Sequence, residues 1–175
     1  MEERVQEPKT RKIDTSLLVG LTAIFISVAT LGVYIYQAKI MQSQLHTAVW
    51  PYIESSTSNY QSFYLEVTNK GIGPAIIKNS TWYVNDKEAK SLEEFFELLL
   101  GEKKKKMMVI SSYVNGRVMS AGESFKPFQV IDSTNMHLVD SAFRTQNVRF
   151  EICYCSIYKE CWLSKGIEVV ESDCK

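Results

Sequence analysis

Net charge is the first thing this sequence lacks: 20 Lys and Arg stand against 20 Asp and Glu. A neutral chain exerts no global pull on nucleic acid or another polyanion, and no segment resembles a nucleic-acid module. Histidine is nearly missing. His46 and His137 are the only two, which leaves few imidazoles for metal ligation or general base work. There is no Cys-x-x-Cys, so a thioredoxin-like motif is excluded and a four-ligand zinc site has poor spacing. Gly71-Ile72-Gly73-Pro74 is no phosphate cradle, because proline stands where a helix amide would be needed. Asp132, Asp140 and Glu151 belong to no acid–base constellation and read as solvated surface. The expectation is a chain that is not an enzyme, with no catalytic residue, no cofactor and no metal.

Charge is absent locally as well. Thr15 to Tyr36, "TSLLVGLTAIFISVATLGVYIY", holds no ionisable Asp, Glu, Lys or Arg. A hydrocarbon layer about 30 Å thick needs roughly 20 helical residues. Residues 16–36 are therefore read as a transmembrane helix, with Ser and Thr hydroxyls bonding back to helix carbonyls. A core helix apolar on all sides needs a larger protein around it. A signal peptide has a shorter apolar run and a small-x-small cleavage site, which does not follow here. Arg4, Lys9, Arg11 and Lys12 precede the span and only Lys39 follows closely. Positive residues stay inside, so residues 1–15 are expected as a cytoplasmic tail and the remainder outside the cytoplasm. Ser16 with Gly20, and Ala23 with Ser27, form small-xxx-small pairs through which two such helices could associate into a homo-oligomer.

Glycine and proline are scarce after the span too, and none occurs from Tyr34 to Trp50. Residues 37–50 are expected to continue as a helical neck ending near Val49, since a residue before proline avoids the α region. Trp50, Pro51 and Tyr52 then anchor residues 51–175 by packing into that domain. Residues 55–59, "SSTSN", read as a polar loop. "FYLEV" reads as a strand with Phe63, Leu65 and Val67 on one face. The glycines of "TNKGIGPA" are expected to supply unusual backbone angles. "AIIKNSTWYV" is a second strand, and Asn85-Asp86 a turn. Asn79-Ser80-Thr81 fits a glycosylation acceptor but lies in that strand. "SLEEFFELLLG" is a helix capped by Ser91, with Phe95, Leu98 and Leu99 buried and Gly101 at its end. Lys103 to Lys106 read as a solvated helix end. "MMVISSYV" is expected to enter a hairpin through Asn115-Gly116. "KPFQVI" is a further strand, and "STNMHLVDSAFRTQ" a short helix capped by Ser133 or Thr134.

"FYLEVTNKGIGPAIIKNSTWYVND" resembles the early strands of immunoglobulin-like bacterial β-sandwich modules. With "YQAKIMQSQLHTAVWPYI" before it and "ICYCSIYKECW" after it, the layout resembles uncharacterised bacterial single-pass membrane proteins. The resemblance implies a mainly β fold: a transmembrane helix, a helical neck and an immunoglobulin-like extracytoplasmic β-sandwich carrying one or two inserted helices. It also implies a cell inner membrane as the location, and no activity.

The four cysteines lie within the last 23 residues. In "VRFEICYC", alternation puts Phe150, Ile152 and Tyr154 on one face and Cys153 and Cys155 on the other. A turn centred on Tyr158 brings Cys155 opposite Cys161 and Tyr154 opposite Trp162 in one register. Outside the cytoplasm that favours a Cys155–Cys161 disulfide, with Cys153 and Cys174 as a second pair if the tail folds back. In a reducing compartment they are free thiols. The functional expectation is a non-catalytic interaction or accessory subunit of a membrane complex, whose partners are the lipid bilayer and a protein or a second copy, not nucleic acid. The continuous helix would couple the domain to the membrane without slack. The alternative is a membrane-anchored small-ligand or ion sensor, disfavoured by a tail of about fourteen residues.

Overall fold

The computed structural model describes residues 14–101 and 107–174, apart from the Thr134 side chain. The basic residues before the span and the Lys103–Lys106 run lie outside the described residues. The chain divides into two compact units, Met1–Leu45 and His46–Lys175.

Helix α1, Thr15–Ala48, runs 34 residues and buries none of them. It is about 50 Å long at 1.5 Å per residue, and long and apolar enough to cross a membrane. Thr22, Ser27 and Thr30 donate to the carbonyls of Val19, Ala23 and Ile26 at 2.9, 2.8 and 2.7 Å. Those bonds remove the polar character of the hydroxyls from the helix surface.

The second unit is mostly antiparallel sheet. One sheet has the order β1-β2-β7-β5, from Ile53–Ser58, Phe63–Asn69, Ser124–Val130 and Val109–Ser111. The other has the order β10-β9-β8-β3-β4, with β6 also on β3. Its strands are Glu168–Glu171, Cys161–Lys165, Val148–Cys155, Ala75–Val84, Lys87–Ala89 and Val118–Met119. Helices α2, Leu92–Leu100, and α3, Ser133–Thr145, complete the unit.

Alternation builds the core. Phe63, Leu65, Val67 and Asn69 of β2 point inward, and Tyr64, Glu66 and Thr68 do not. Phe128 of β7 lies 5.5 Å from Trp82 of β3, and Trp82 stacks on Phe150 of β8 at 3.8 Å. Phe95 of α2 closes on Trp82 at 4.7 Å, and Phe143 of α3 on Phe63 at 4.8 Å. Both sheets and both helices thus contribute to one aromatic core, where offset and tilted ring pairs are favoured.

Local signals set several boundaries. Asn85 and Asp86 have φ of 50° and 64°, as the two-residue hairpin between β3 and β4 requires. Ser91 Oγ accepts from the Glu94 amide at 3.1 Å, and the Glu94 carboxylate accepts from the Lys90 amide at 2.8 Å. The Ser91 cap starts α2, with the Glu94 carboxylate holding the amide of the residue before it, and Gly101 at φ 53° ends it. The buried stripe is Phe95, Phe96, Leu99 and Leu100, with Leu98 only half-buried.

Three expectations are corrected. Residues 55–58 are not loop but part of edge strand β1, paired from Ile53↔Asn69 to Ser58↔Tyr64; the polar side chains suit an edge whose outer face meets water. Asn115-Gly116 does not close a hairpin between β5 and β6. β5 pairs with β7 and β6 with β3, so the turn carries the chain from one sheet to the other. Helix α3 begins at Ser133 itself. Asp132 stands before it, its carbonyl accepting from the Met136 amide at 2.8 Å and its carboxylate from Asn135 Nδ2 at 2.7 Å.

Candidate functional site

The segment after α1 is fastened by the loop between β2 and β3. The amides of Lys70, Ile72 and Gly73 donate to the carbonyls of Tyr52, Trp50 and Trp50 at 2.8, 3.1 and 3.3 Å. Asn69, fully buried, organises this crossing. Its Oδ1 accepts from the Tyr52 and Gly71 amides at 3.2 and 3.0 Å. Its Nδ2 faces the carbonyls of Gly73, Ser120 and Met119 at 2.8, 3.2 and 3.3 Å. Two donors on one side and carbonyls on the other fix the orientation of the amide.

Gly71 and Gly73 are needed for closeness rather than for unusual angles, since neither has positive φ. A Cβ on Gly73 would lie 2.6 Å from the Val49 Cα and nearer still to the Val49 carbonyl. One on Gly71 would overlap the backbone of Trp50 and Tyr52. Of the three expected anchors, Pro51 is buried and Tyr52 half-buried, its hydroxyl donating to the Ile167 carbonyl at 3.1 Å. Trp50 is 43% exposed and packs at a tilt against Tyr52, with ring centroids 5.4 Å apart. The backbone therefore carries the anchorage, and the indole stays in part available.

Ile53, the next residue, is held from the opposite sheet. Its amide donates to the Tyr154 hydroxyl at 3.2 Å, and its carbonyl accepts from Ser164 Oγ at 2.8 Å. Tyr154 is 0% exposed, and burial pushes its phenol up to about 12. The unfolded value is about 10. A raised folded pKa stabilises the fold fully below pH 10, and that contribution is lost as pH rises through 12. We expect the unfolding free energy of the wild type, read by urea titration, to fall above pH 10, by about 2 to 3 kcal/mol when the loss is complete. Tyr154→Phe is expected to start lower and to lack that component of the decline.

β8 and β9 pair with Tyr154 opposite Trp162 and Cys155 opposite Cys161. The turn between them is closed by the Ser156 amide on the Glu160 carbonyl at 2.8 Å, with Lys159 at φ 66°. Cys155 is bonded to Cys161, with Cα atoms 4.0 Å apart, and Cys153 to Cys174, with Cα atoms 5.5 Å apart. The sequence separations are 6 and 21, so chain-entropy stabilisation is about 2 kcal/mol for the first and about 3 kcal/mol for the second. Replacing the Cys153 and Cys174 pair by alanine should therefore lower the urea midpoint more than replacing Cys155 and Cys161.

Beside this hairpin lies an open groove of about 870 Å³, lined among others by His46, Trp50, Glu160, Cys161, Trp162 and Asp173. His46 stacks on Tyr158 with centroids 4.4 Å apart, and its Nδ1 donates to the Glu160 carboxylate at 2.6 Å. The lining brings two indoles together with the carboxylates of Glu160, Glu171 and Asp173 and the ammonium of Lys159. Among the described residues, no nucleophile, base and oxyanion donors converge there.

The remaining sequence-designated residues, Ser16, Gly20, Ala23 and Ser27, are all exposed along α1. A Cβ added to Gly20 would meet nothing within 4 Å. Sequence reasoning missed Asn69, Ser164 and the groove. Asn69 left one signal, its position directly before the glycine-rich turn. Compared with protein-family models, curated proteins and solved structures, the chain matches none of them.

Proposed function

We propose that the protein is a non-catalytic single-pass membrane protein whose β domain serves as an interaction or accessory subunit of a membrane complex. The observation that carries this reading is α1: 34 uninterrupted helical residues with no buried member, followed by a segment that the β2–β3 loop fastens at the backbone. The apolar part of that helix, residues 16–36, is exposed along its length and matches the thickness of a lipid layer. The two sheets share one core, in keeping with a β-sandwich of immunoglobulin-like type. Two disulfides favour placing the domain outside the cytoplasm, in the periplasm or extracellular space. The Lys and Arg bias before the span supports a cytoplasmic amino terminus at an inner membrane.

The test has two parts. Protease added to spheroplasts should remove the carboxyl-terminal domain and spare the amino terminus; the reverse pattern overturns the topology. Purification in mild detergent should retain a stoichiometric partner or a second copy. The groove favours one second reading, a membrane-anchored sensor for a small ligand or ion. A lone protein whose melting temperature rises with such a ligand would replace the first reading by the second.

A further inference from the structure

Cys155, Cys161 and Cys174 bring their Sγ atoms within 4.8 Å of one another. The two disulfides are therefore neighbours, not separate staples. Register explains the meeting. Cys153 and Cys155 are two apart on β8 and share a face. Cys174 returns over the hairpin, with its Sγ 3.8 Å from the carbonyl oxygens of both Tyr154 and Trp162. Those two residues form the rung next to the Cys155–Cys161 rung. Access is uneven. Cys153 and Cys155 are buried, whereas Cys161 and Cys174 are half-exposed, and Cys161 lines the groove.

We propose that the paired disulfides form a thiol–disulfide exchange site that accepts two electrons from a dithiol donor arriving through the groove. A donor thiolate attacks Cys161 Sγ. The Cys155–Cys161 bond breaks, and Cys155 leaves as a thiolate within 4.8 Å of Cys174 Sγ. Cys155 then attacks Cys174, forming Cys155–Cys174 and breaking Cys153–Cys174, and Cys153 leaves and takes up a proton. The donor's second thiolate attacks the donor sulfur of the mixed disulfide. It closes the donor's own disulfide and releases Cys161, which is protonated. In sum the donor loses two electrons and two protons, and the protein gains two thiols while keeping one disulfide. A rotation about Cys side-chain torsions brings the sulfurs into contact. The retained Cys155–Cys174 bond still ties the tail to β8, so the domain can be reduced by one step without releasing its carboxyl terminus. This chemistry goes beyond partner docking and stands independently of it.

The experiment uses the full chain in detergent. It receives one equivalent of dithiothreitol at pH 8, then acid quenching, alkylation and disulfide mapping by mass spectrometry. The expected two-thiol form carries Cys155–Cys174 with Cys153 and Cys161 alkylated, roughly tenfold above any other. A two-thiol form alkylated at Cys155 and Cys161 with Cys153–Cys174 intact, or the converse, overturns the proposal. A second arm replaces dithiothreitol by reduced thioredoxin at equal concentration. Faster formation of the same product marks a protein dithiol as the favoured donor, and slower formation a small one. The variant Cys153→Ser gives an independent reading. Its Cys174 thiol should exchange until roughly a tenth or more of the molecules hold Cys174 bonded to Cys155 or Cys161. Only Cys155–Cys161 with freely alkylated Cys174 overturns the exchange.

Discussion

Gly73→Ala is expected to destabilise the β domain by more than about 4 kcal/mol, a loss in the range that marks a single specific structural cause. Adding one methyl group elsewhere in an open position costs little. Here the methyl would occupy the place of the Val49 carbonyl and lie 2.6 Å from the Val49 Cα. These are backbone atoms, so no rotamer change relieves the overlap. The segment from Val49 to Tyr52 would have to leave the loop. The Gly73 and Ile72 amides would lose their Trp50 carbonyl. Gly122→Ala is the control. Gly122 has φ +75° but open space around its missing Cβ, so only the left-handed backbone penalty of about 1 to 2 kcal/mol applies. Urea unfolding of the two variants beside the wild type measures the difference. Equal midpoints would refute the close-approach explanation.

Asn69→Ala should cost a comparable amount, about 4 kcal/mol or more. The reason is different: the side chain is removed but the groups that it satisfied remain buried. The amides of Tyr52 and Gly71 lose their acceptor, and the carbonyls of Gly73, Ser120 and Met119 lose their donor. Each buried group left unsatisfied costs about 1 to 3 kcal/mol. Asn69→Asp separates hydrogen bonding from volume. It keeps the acceptor and the shape but turns an oxygen toward the carbonyls, so it should be no better than alanine despite filling the space. Thermal unfolding followed by tryptophan fluorescence reads both variants. Trp82 lies in the core and Trp50 beside the loop, which makes the signal sensitive to each event. An aspartate variant close to wild type would show that the Nδ2 bonds contribute little.

These two positions show where sequence reading reached its limit. The Gly-Ile-Gly-Pro turn announced a break between strands, and the structure has one there, between β2 and β3. Unusual backbone angles were the natural expectation, because φ is a local property. The actual demand comes from Val49, Trp50 and Tyr52, about twenty residues away in sequence. Asn69 looked like a turn residue after "FYLEVT". Its value lies in five partners from three segments. Likewise "SSTSN" has loop composition, and only pairing with β2 makes Ser55 to Ser58 strand. "MMVISSYV" and Asn115-Gly116 have the pattern of a hairpin, but nothing local states that β5 and β6 belong to different sheets.

What the sequence determined by itself was whatever depends on neighbours a few residues apart. The charge-free run, the Ser91 cap with Glu94, the Asn85-Asp86 turn, and the register of Cys155 with Cys161 all follow from hydropathy, hydrogen-bonding capacity and alternation along one stretch of chain. Tertiary structure alone decided the Asn69 hub, the close approach at Gly73, the groove and the gathering of three sulfurs. Each needs segments far apart in sequence to meet, and the energy that brings them together is burial in a common core, which no local pattern encodes.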